Sequence, residues 1–256
     1  MALLPLQSGI TYGPVNSRRL GRSLGINLLP TGYKLCSFDC VYCHYGRTGV
    51  KRLHPPARDL PWTKEVLRAV EAGLRRHPDV DYLTFSGNGE PTLHPAFSHI
   101  AAAVHRLRDA LAPGVRLALF SNATTVHLER VRQALALFDA PMLKLDAGDP
   151  GTLAAINRPA PEVSWRDIFE GLKAVPALIV QSVLIDGRVS NVRGEAFEAW
   201  VNALAELGPA QVQVYSTDYP VSDSGVERVL PYVLRRIAED VEARTGLQID
   251  TRWILP

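Results

Sequence analysis

Cysteine is scarce in this sequence, and its placement excludes a disulfide framework. Only three cysteines occur among the 256 residues, and all of them fall within the single stretch 36–43. An odd number of closely spaced cysteines cannot build the paired bridges that small secreted domains use. The start, MALLPLQSGI, also lacks the basic region and the apolar length of a signal peptide. These absences predict a cytoplasmic protein with a metal site.

Long hydrophobic runs and an excess of charge of one sign are also missing. The longest apolar candidate, 176–185, is interrupted by Gln181 and Ser182 and is far shorter than the ~18 residues of a membrane span. The 28 basic and 26 acidic residues give a net charge of +2, which by itself indicates neither a nucleic acid nor a membrane surface as partner. With 46% hydrophobic residues, the chain has the composition of an ordinary globular protein.

Apolar, β-rich runs alternate along the chain with segments of helical periodicity. Crossovers through helices make successive strands parallel, and six such units are fewer than a complete eightfold barrel needs. We therefore predict a single α/β domain built as a partial (β/α)6 barrel, with a flat doubly wound sheet as the alternative. The barrel is expected over residues 24–220, between an N-terminal extension (1–23) and a C-terminal helix and tail (221–256) that pack on it. The six predicted strands are 24–29, 82–85, 116–120, 142–145, 178–185 and 211–215.

The three cysteines, Cys36, Cys40 and Cys43, follow the first predicted strand in one loop. Thiolates prefer soft metals, so zinc and an iron–sulfur cluster are the candidates. A structural zinc site takes four protein ligands, and His44 follows Cys43 too directly to complete a tetrahedron well. Three cysteines can instead hold three irons of a [4Fe-4S] cube and leave the fourth iron open to a small molecule. The ligand set favours the cluster.

The spacing CxxxCxΦC, with Tyr42 as the aromatic residue, resembles the radical S-adenosylmethionine (radical SAM) superfamily. The resemblance implies that S-adenosylmethionine (SAM) binds the open iron, with Tyr42 near its adenine. It also implies that reductive cleavage of SAM yields a 5′-deoxyadenosyl radical, which abstracts hydrogen from a substrate. This chemistry belongs to the cofactor, and the protein contributes positioning and the exclusion of water.

The stretch 86–95, SGNGEPTLHP, follows the second predicted strand and resembles the GGEP motif of the same superfamily, with Asn88 in place of its first glycine. Glycine lets backbone approach a ligand closely. The carboxylate of Glu90 can accept a charge-assisted hydrogen bond from the ammonium group of SAM. A simple tight turn would also explain the sequence, but its position one strand after the cysteines favours binding. The predicted SAM contacts in this loop are Gly87, Asn88, Gly89 and Glu90.

Polar residues lie in or end the later predicted strands, where barrel ligands bind. Asn122 follows the third strand. Lys144 and Asp146 alternate onto one face at the end of the fourth strand. The resemblance implies contacts from this pair to the methionine carboxylate and the ribose of SAM, and a purely structural ion pair is the alternative. Gln181 lies in the apolar fifth strand and needs a polar partner, which predicts a further cofactor contact or a bond within the sheet.

The sixth predicted strand runs into the hydroxyl-rich stretch 215–219, YSTDY. Side chains alternate along an extended chain, so Tyr215 and Asp218 are expected on opposite faces, one of which lines the substrate pocket. These two are the candidate catalytic residues, and a tyrosine here can donate a hydrogen atom to a product radical. The alternative is a loop that caps the last helix, because Ser, Asp and Pro are common in turns.

Longer stretches of the sequence resemble a bacterial radical SAM group related to the wyosine tRNA synthases. These stretches are 12–27, CSFDCVYCHYGRT, FSGNGEPTLHP, LKLDAGD and INRP. The wyosine synthases bind a second cluster through additional cysteines. This sequence has no cysteines beyond the three already named, so the resemblance does not imply the wyosine synthase reaction. The resemblance implies a radical SAM enzyme whose substrate is an RNA base, a protein or a small metabolite, with flavodoxin or ferredoxin as the reducing partner. The alternatives are a non-enzymatic zinc or iron–sulfur module and a radical SAM activator of a protein partner.

Overall fold

The computed structural model describes residues 2–17 and 20–252, in which strands and helices alternate over most of the chain after the first four strands. The strands are β1 (Thr11–Ser17), β2 (Gly21–Ile26), β3 (Leu35–Cys36), β4 (Val50–Lys51), β5 (Tyr82–Phe85), β6 (Arg116–Ser121), β7 (Ala140–Lys144), β8 (Ile179–Val183), β9 (Ile185–Gly187), β10 (Gln211–Tyr215), β11 (Val226–Arg228) and β12 (Ile249–Arg252). The α-helices are α1 (Thr63–Arg76), α2 (Phe97–Leu111), α3 (Glu129–Leu135), α4 (Pro150–Ile156), α5 (Trp165–Lys173), α6 (Gly194–Leu207) and α7 (Pro231–Thr245). Short 3-10 turns occur at Ala57–Asp59 and Pro91–Leu93.

The main sheet follows the order of the chain. Its eight strands within the described residues lie in the order β1-β2-β5-β6-β7-β8-β10-β12. Strand β1 is antiparallel to β2, and every other neighbouring pair is parallel. A doubly wound sheet reverses its strand order at a switch point, whereas this order never reverses. The predicted single α/β domain with a partial barrel is therefore confirmed, and the flat alternative is wrong.

The sheet is wider than predicted. All six predicted strands form, although the first runs over Gly21–Ile26 and not over 24–29. Strand β1 lies within the predicted N-terminal extension, and β12 within the predicted tail, so the sheet reaches beyond 24–220 on both sides. Of these two end segments, positions 1, 18, 19 and 253–256 lie outside the described residues.

The helices bury their apolar faces against the outside of the sheet. Helix α1 buries Val66, Val70 and Leu74, as its periodicity predicts. The centre of this core is a cluster of aromatic rings at Phe85 and Phe138, whose centroids are 5.2 Å apart. An αL residue, Gly208, ends α6, where glycine avoids the steric cost of that conformation. No helix in the described ranges is long and apolar enough to cross a bilayer.

The inside of the partial barrel is closed at one end. A small cluster of Leu20, Tyr82, Ala118 and Met142 fills the space near the amino ends of the strands. The carboxyl ends remain lined by polar side chains and by the loops that follow β2 and β5. This arrangement leaves the carboxyl end as the place where a ligand can enter.

Candidate active site

A cavity of about 310 Å³ lies at the carboxyl ends of the parallel strands. That volume falls within the range typical of small-molecule sites. Loop residues from three parts of the chain meet here, together with strand ends. The predicted site residues among its lining are Cys36, Cys40, Tyr42, Cys43, Gly87, Gly89, Glu90, Asn122, Lys144, Gln181 and Tyr215.

The loop that carries the cysteines runs over residues 27–62, between β2 and α1, and is called the cysteine loop below. It has little regular structure, but two other parts of the chain hold it in place. The backbone N–H of Val41 donates to the carbonyl of Ile156 at 2.9 Å. From the other side, the hydroxyl of Ser222 donates to the carbonyls of Cys40 and Val41, both at 2.8 Å. The backbone N–H of Asp223 adds a bond to the carbonyl of Val41 at 3.0 Å. The cysteine loop is therefore fixed by contacts that span more than a hundred positions of sequence.

Each of the three sulfurs accepts a contact from a nitrogen donor on another residue. The donors to Sγ are Phe38 N (3.4 Å) and Asn122 Nδ2 (3.6 Å) for Cys36, Asn157 Nδ2 (3.4 Å) for Cys40, and Lys34 Nζ (3.0 Å) for Cys43. Burial raises the pKa of Cys36, and it raises the pKa of Cys40 to about 11. Metal binding must therefore displace protons from these thiols.

The donor set fits an iron–sulfur cluster better than a single zinc ion. Ligands of one zinc ion lie about 2.3 Å from the metal and so close to one another. Among the residues that the structure describes, no three side chains of His, Cys, Asp or Glu are grouped to hold one ion in this way. Thiolates that each bind a different iron of a cube need not converge on one point. Three cysteines around one cavity meet that looser requirement.

The loop after β5 lies directly against the start of the cysteine loop. Gly89 has a φ of 144°, and a Cβ there would lie 1.7 Å from the carbonyl oxygen of Leu35. The N–H of Leu35 donates to the carbonyl of Asn88 at 2.9 Å, and the N–H of Glu90 donates to the carbonyl of Leu35 at 3.3 Å. Only glycine allows the backbone at position 89 to approach Leu35 this closely, whereas its predicted approach to a ligand stays a prediction.

Glu90 is buried, and its carboxylate accepts hydrogen bonds from the chain itself. The donors are Thr92 N (3.0 Å), Thr92 Oγ1 (2.6 Å), Ser121 Oγ (2.9 Å) and Asn122 N (2.5 Å). Burial outweighs these bonds and raises the pKa of Glu90 above its ordinary value. Three of these donors share Oε1 and one bonds to Oε2, so Oε2 can accept a further hydrogen bond. Glu90 lines the cavity. Its hydrogen bonds also tie the loop after β5 (residues 86–90, called the glycine loop below) to the end of β6.

The side chain of Asn88 bonds to backbone groups, and its predicted role as a cofactor contact stays a prediction. Its Nδ2 donates to the carbonyls of Gln7 (2.9 Å) and Pro30 (2.8 Å), and its Oδ1 accepts from the N–H of Gln7 at 2.8 Å. These bonds anchor the N-terminal segment to the loop. The buried amide is satisfied by backbone and does not line the cavity.

Lys144 and Asp146 form an ion pair, with Nζ 3.3 Å from Oδ1. Lys144 lines the cavity and Asp146 does not, and the predicted contact of Asp146 with ribose stays a prediction. Its carboxylate accepts from the hydroxyl of Tyr42, from Asn157 Nδ2 at 2.9 Å and from the N–H of Val183 at 2.8 Å. Burial opposes the charge of Lys144, but attraction to Asp146 outweighs it and the pKa of Lys144 is raised. Asp146 thus positions Tyr42 and Lys144.

The structure separates the two candidate catalytic residues at the end of β10. Tyr215 is the last residue of the strand and lines the cavity, where its hydroxyl donates to Oε1 of Gln181 at 3.3 Å. The chain then leaves the sheet, so the predicted alternation does not continue to Asp218. The carboxylate of Asp218 instead pairs with Arg228 of β11 at 2.9 Å. Asp218 does not line this cavity, and its predicted catalytic role stays a prediction without support from this placement.

A second cavity of about 540 Å³ adjoins the first on the side of β1 and β2. Tyr12, Tyr45, Ser86 and Phe120 line both cavities. The hydroxyl groups of Tyr12 and Ser86 are hydrogen-bonded in this shared wall. Tyr219, from the stretch predicted to meet the substrate, lines the second cavity. The two spaces are thus neighbours with a common wall.

Seven residues that line this cavity were not predicted from the sequence: Tyr12, Lys34, Phe38, Tyr45, Ser86, Phe120 and Ser121. Asn157, which donates to the sulfur of Cys40, was not predicted either. Lysine side chains usually lie on the exposed surface, and nothing in the sequence around Lys34 indicates otherwise. In the structure, Lys34 is only 5% exposed. Asn157 lies in the INRP stretch that carries the family resemblance, and that was the one signal that could have identified it. Tyr12 lies on β1, a strand whose Gly-Pro sequence is typical of a turn.

Comparisons with known proteins show the family and the fold of this chain. Residues 32–219 match the family model described as the Radical SAM superfamily. The chain is 38% identical over 224 residues to the UPF0026 protein MJ1312 of Methanocaldococcus jannaschii, a match that covers 85% of this chain and 66% of that protein. Its fold is similar to a radical SAM methyltransferase from Sphaerobacter thermophilus (TM-score 0.67, 15% identity, 90% of this chain and 65% of that chain). It is also similar to TYW1 with a lysine-pyruvate adduct bound (TM-score 0.60, 17% identity, 89% and 75%).

This chain belongs to the radical SAM superfamily. The superfamily indicates an enzyme that uses an iron–sulfur cluster and SAM. At 15% and 17% identity, the two structural likenesses show the fold alone. The link to wyosine synthesis comes from the likeness to TYW1 and is thus a likeness of fold.

Proposed function

We propose that this protein is a radical SAM enzyme that holds a [4Fe-4S] cluster on Cys36, Cys40 and Cys43 and binds SAM beside it. The observation that carries the proposal is that the three thiols and the glycine loop line one cavity. When bound, these groups supply an electron to cleave SAM and a 5′-deoxyadenosyl radical to abstract hydrogen from the substrate.

The residues of the chain position the ligand and keep water out. Gly87 and Gly89 present backbone without side chains, so a ligand can approach the loop closely. The ammonium of Lys144 lies 5.0 Å from the ring centroid of Tyr42 and supplies the positive charge that suits a carboxylate. Phe38 and Phe120 contribute apolar surface to the wall. Bound ligands that fill this cavity would displace water from it and so strengthen electrostatic contacts there.

The substrate, in this proposal, occupies the second cavity and reaches past the shared wall into the first, so that its reacting carbon meets both SAM and Tyr215. Tyr215 lies on the SAM side and Tyr219 on the substrate side. Tyr215 is the proposed donor of a hydrogen atom to the product radical. An RNA base, a protein and a small metabolite are the substrate classes to be tested. The reductant is a one-electron carrier such as flavodoxin or ferredoxin, and the proposed compartment is the cytoplasm.

The decisive measurement is metal content and SAM cleavage in anaerobically prepared protein. About four irons per chain and slow formation of 5′-deoxyadenosine after reduction are expected. One zinc per chain without iron contradicts the proposal and supports the non-enzymatic module. RNA, protein and metabolite fractions are then added separately. The fraction that contains the substrate raises the rate of 5′-deoxyadenosine formation, and a fraction that contains none leaves it unchanged.

A pair of variants tests the proposed role of Tyr215. Tyr215→Phe removes one hydroxyl from the cavity wall and is expected to keep both iron and slow SAM cleavage while losing turnover of the substrate to product. Asp218→Asn changes a carboxylate that pairs with Arg228 away from the cavity, so it is the matched control and should turn over normally. Normal turnover in Tyr215→Phe would remove Tyr215 from the mechanism and leave the cluster assignment intact.

A further inference from the structure

The three cysteine sulfurs differ in the charge of the donor that each one faces. Cys36 and Cys40 accept from the neutral amides of Asn122 and Asn157, at 3.6 and 3.4 Å. Cys43 accepts from the ammonium of Lys34 at 3.0 Å, which is the shortest of these contacts. A charged donor makes a stronger hydrogen bond than a neutral one. The environment of the thiols is therefore asymmetric, with its positive charge at Cys43.

Lys34 is held in place by the loop that it contacts. Its side chain is 5% exposed, and Nζ also donates to the carbonyl of Gly46 at 2.8 Å. Its own carbonyl accepts from the N–H of Val50 at 3.0 Å, so the residue connects the start and the end of the loop. A buried cation is costly unless negative groups compensate it. Here the ammonium contacts a thiol and a carbonyl, which suggests that its charge is matched when the thiol is a metal-bound thiolate.

A fixed positive charge changes how readily a cluster accepts an electron. Reduction adds a negative charge to a group whose thiolates are already negative. A cation in contact with one of them stabilises the reduced state more than the oxidised state, because the attraction grows with the charge on the cluster. Hydrogen bonds to cluster sulfurs act in the same direction. Lys34 supplies both effects at Cys43.

We propose that Lys34 is a positioning residue that fixes the thiolate of Cys43 and raises the reduction potential of the cluster. The inference rests on the proposed function, since it requires a cluster on the three cysteines. The asparagine amides make smaller contributions of the same sign, because they are neutral and their contacts are longer.

The test is a reductive titration of the cluster without SAM, followed by the spectrum of the reduced iron. Lys34→Met removes the charge and keeps an unbranched stem, Lys34→Gln removes the charge and keeps a donor, and Lys34→Arg keeps the charge. The control is Lys51→Met, the same substitution at an exposed lysine of the same loop that donates to the carbonyl of Arg158. Lys34→Met is expected to have the lowest potential, Lys34→Gln a lowered one, and Lys34→Arg and Lys51→Met the potential of the wild type.

The possible outcomes separate this proposal from the assignment of the cluster itself. Unchanged potentials in Lys34→Met and Lys34→Gln, with normal iron content, overturn the role of Lys34 and leave the cluster intact. Loss of iron from both variants at an unchanged melting temperature supports the fixing of Cys43, provided that Lys34→Arg retains iron. Loss of iron from Lys34→Arg as well overturns the role of the charge. Wild-type protein without iron contradicts the proposed function instead.

Discussion

The cysteine loop and the glycine loop face the same cavity, yet their polar groups are satisfied in different ways. In the glycine loop, both carboxylate oxygens of Glu90 accept from Thr92, Ser121 and Asn122 at 2.5–3.0 Å. In the cysteine loop, each sulfur has weaker partners at 3.0–3.6 Å. The carboxylate of Glu90 makes most of its hydrogen bonds within the protein, whereas the cysteine loop presents its sulfur atoms to the cavity.

Because of this difference, we expect substitutions in the glycine loop to change the stability of the fold and substitutions of the cysteines to change metal binding. Hydrogen bonds to a charged group contribute about 1.5–3 kcal/mol each, and a buried partner left unpaired has a similar cost. Changes in the glycine loop are therefore expected to lower the free energy of unfolding. Thiols are weak hydrogen-bonding groups, so their loss changes the fold little and the metal site greatly.

The largest effect is expected from Cys40→Ala, which leaves two thiols for the cluster. Iron content and reductive cleavage of SAM should be lost, while the free energy of unfolding of the metal-free protein changes by less than about 1 kcal/mol. Iron analysis and urea unfolding measure the two quantities. Arg52→Ala, at an exposed position of the same loop, is the control and should keep its iron. A variant that still shows the absorption of the cluster would refute the ligand assignment.

The next effect concerns the contact between the two loops. Gly89→Ala places a Cβ against the carbonyl of Leu35 at a positive φ, and it should destabilise the protein by about 2–4 kcal/mol. Gly114→Ala is the matched control, because a Cβ at Gly114 has no neighbour within 4 Å. Urea unfolding of the metal-free variants gives both values. Equal stability of the two variants would show that the loops are not packed as described.

A smaller effect is expected from Glu90→Gln. The amide turns one acceptor into a donor opposite groups that already donate, so stability should fall by about 1–3 kcal/mol. Loss of the charge should also weaken SAM binding by about 1.5–3 kcal/mol, the range for hydrogen bonds to charged groups. Glu162→Gln, at an exposed position, controls for the substitution. Calorimetric titration with SAM separates the two effects, and unaltered affinity would restrict Glu90 to its role in holding the loop.

The smallest effect concerns the segment that holds the cysteine loop from outside. The N–H of Gly225 and the guanidinium of Arg158 lower the pKa of Asp223. A lowered pKa adds stability above the ordinary value of 3.8, and this stability is lost as the pH falls through the lowered pKa. Asp223→Asn should therefore be less stable than the wild type near pH 7 and approach it in acid. Thermal unfolding between pH 7 and acid measures the difference in stability between the wild type and Asp223→Asn, and exposed Asp79→Asn is the control. A difference that stays constant with pH would contradict the link between the lowered pKa of Asp223 and stability.

The sequence predicted most of the sheet but not its two outer strands. The six inner strands are apolar runs of ordinary length, which is the pattern that buried parallel strands produce. Strand β12 has the sequence IDTR, which is short and polar because it lies at an edge. Strand β1 contains Gly13 and Pro14, which are typical of turns and are tolerated in a strand only at an edge.

At the site, the backbone pattern was predictable and the directions of side chains were not. The cysteine spacing and the glycine loop are local features, so they identified Cys36, Cys40, Cys43 and Glu90. Asn88 bonds to Gln7, which lies 81 positions away on the N-terminal segment. Asp218 pairs with Arg228, which lies 10 positions away on β11. No local pattern reports such contacts, because they depend on how separate loops pack together.

Because the strands of the sheet follow the order of the chain, the sheet can form strand by strand during synthesis, whereas the contacts that hold the cysteine loop form late. Each parallel strand from β2 to β12 is added beside the one made before it, so the sheet can grow from one edge as the chain emerges. The contacts of Ser222 and Asp223 with Cys40 and Val41 cannot form until some 180 further residues have been made. Until then the cysteine loop lacks these contacts from its outer side.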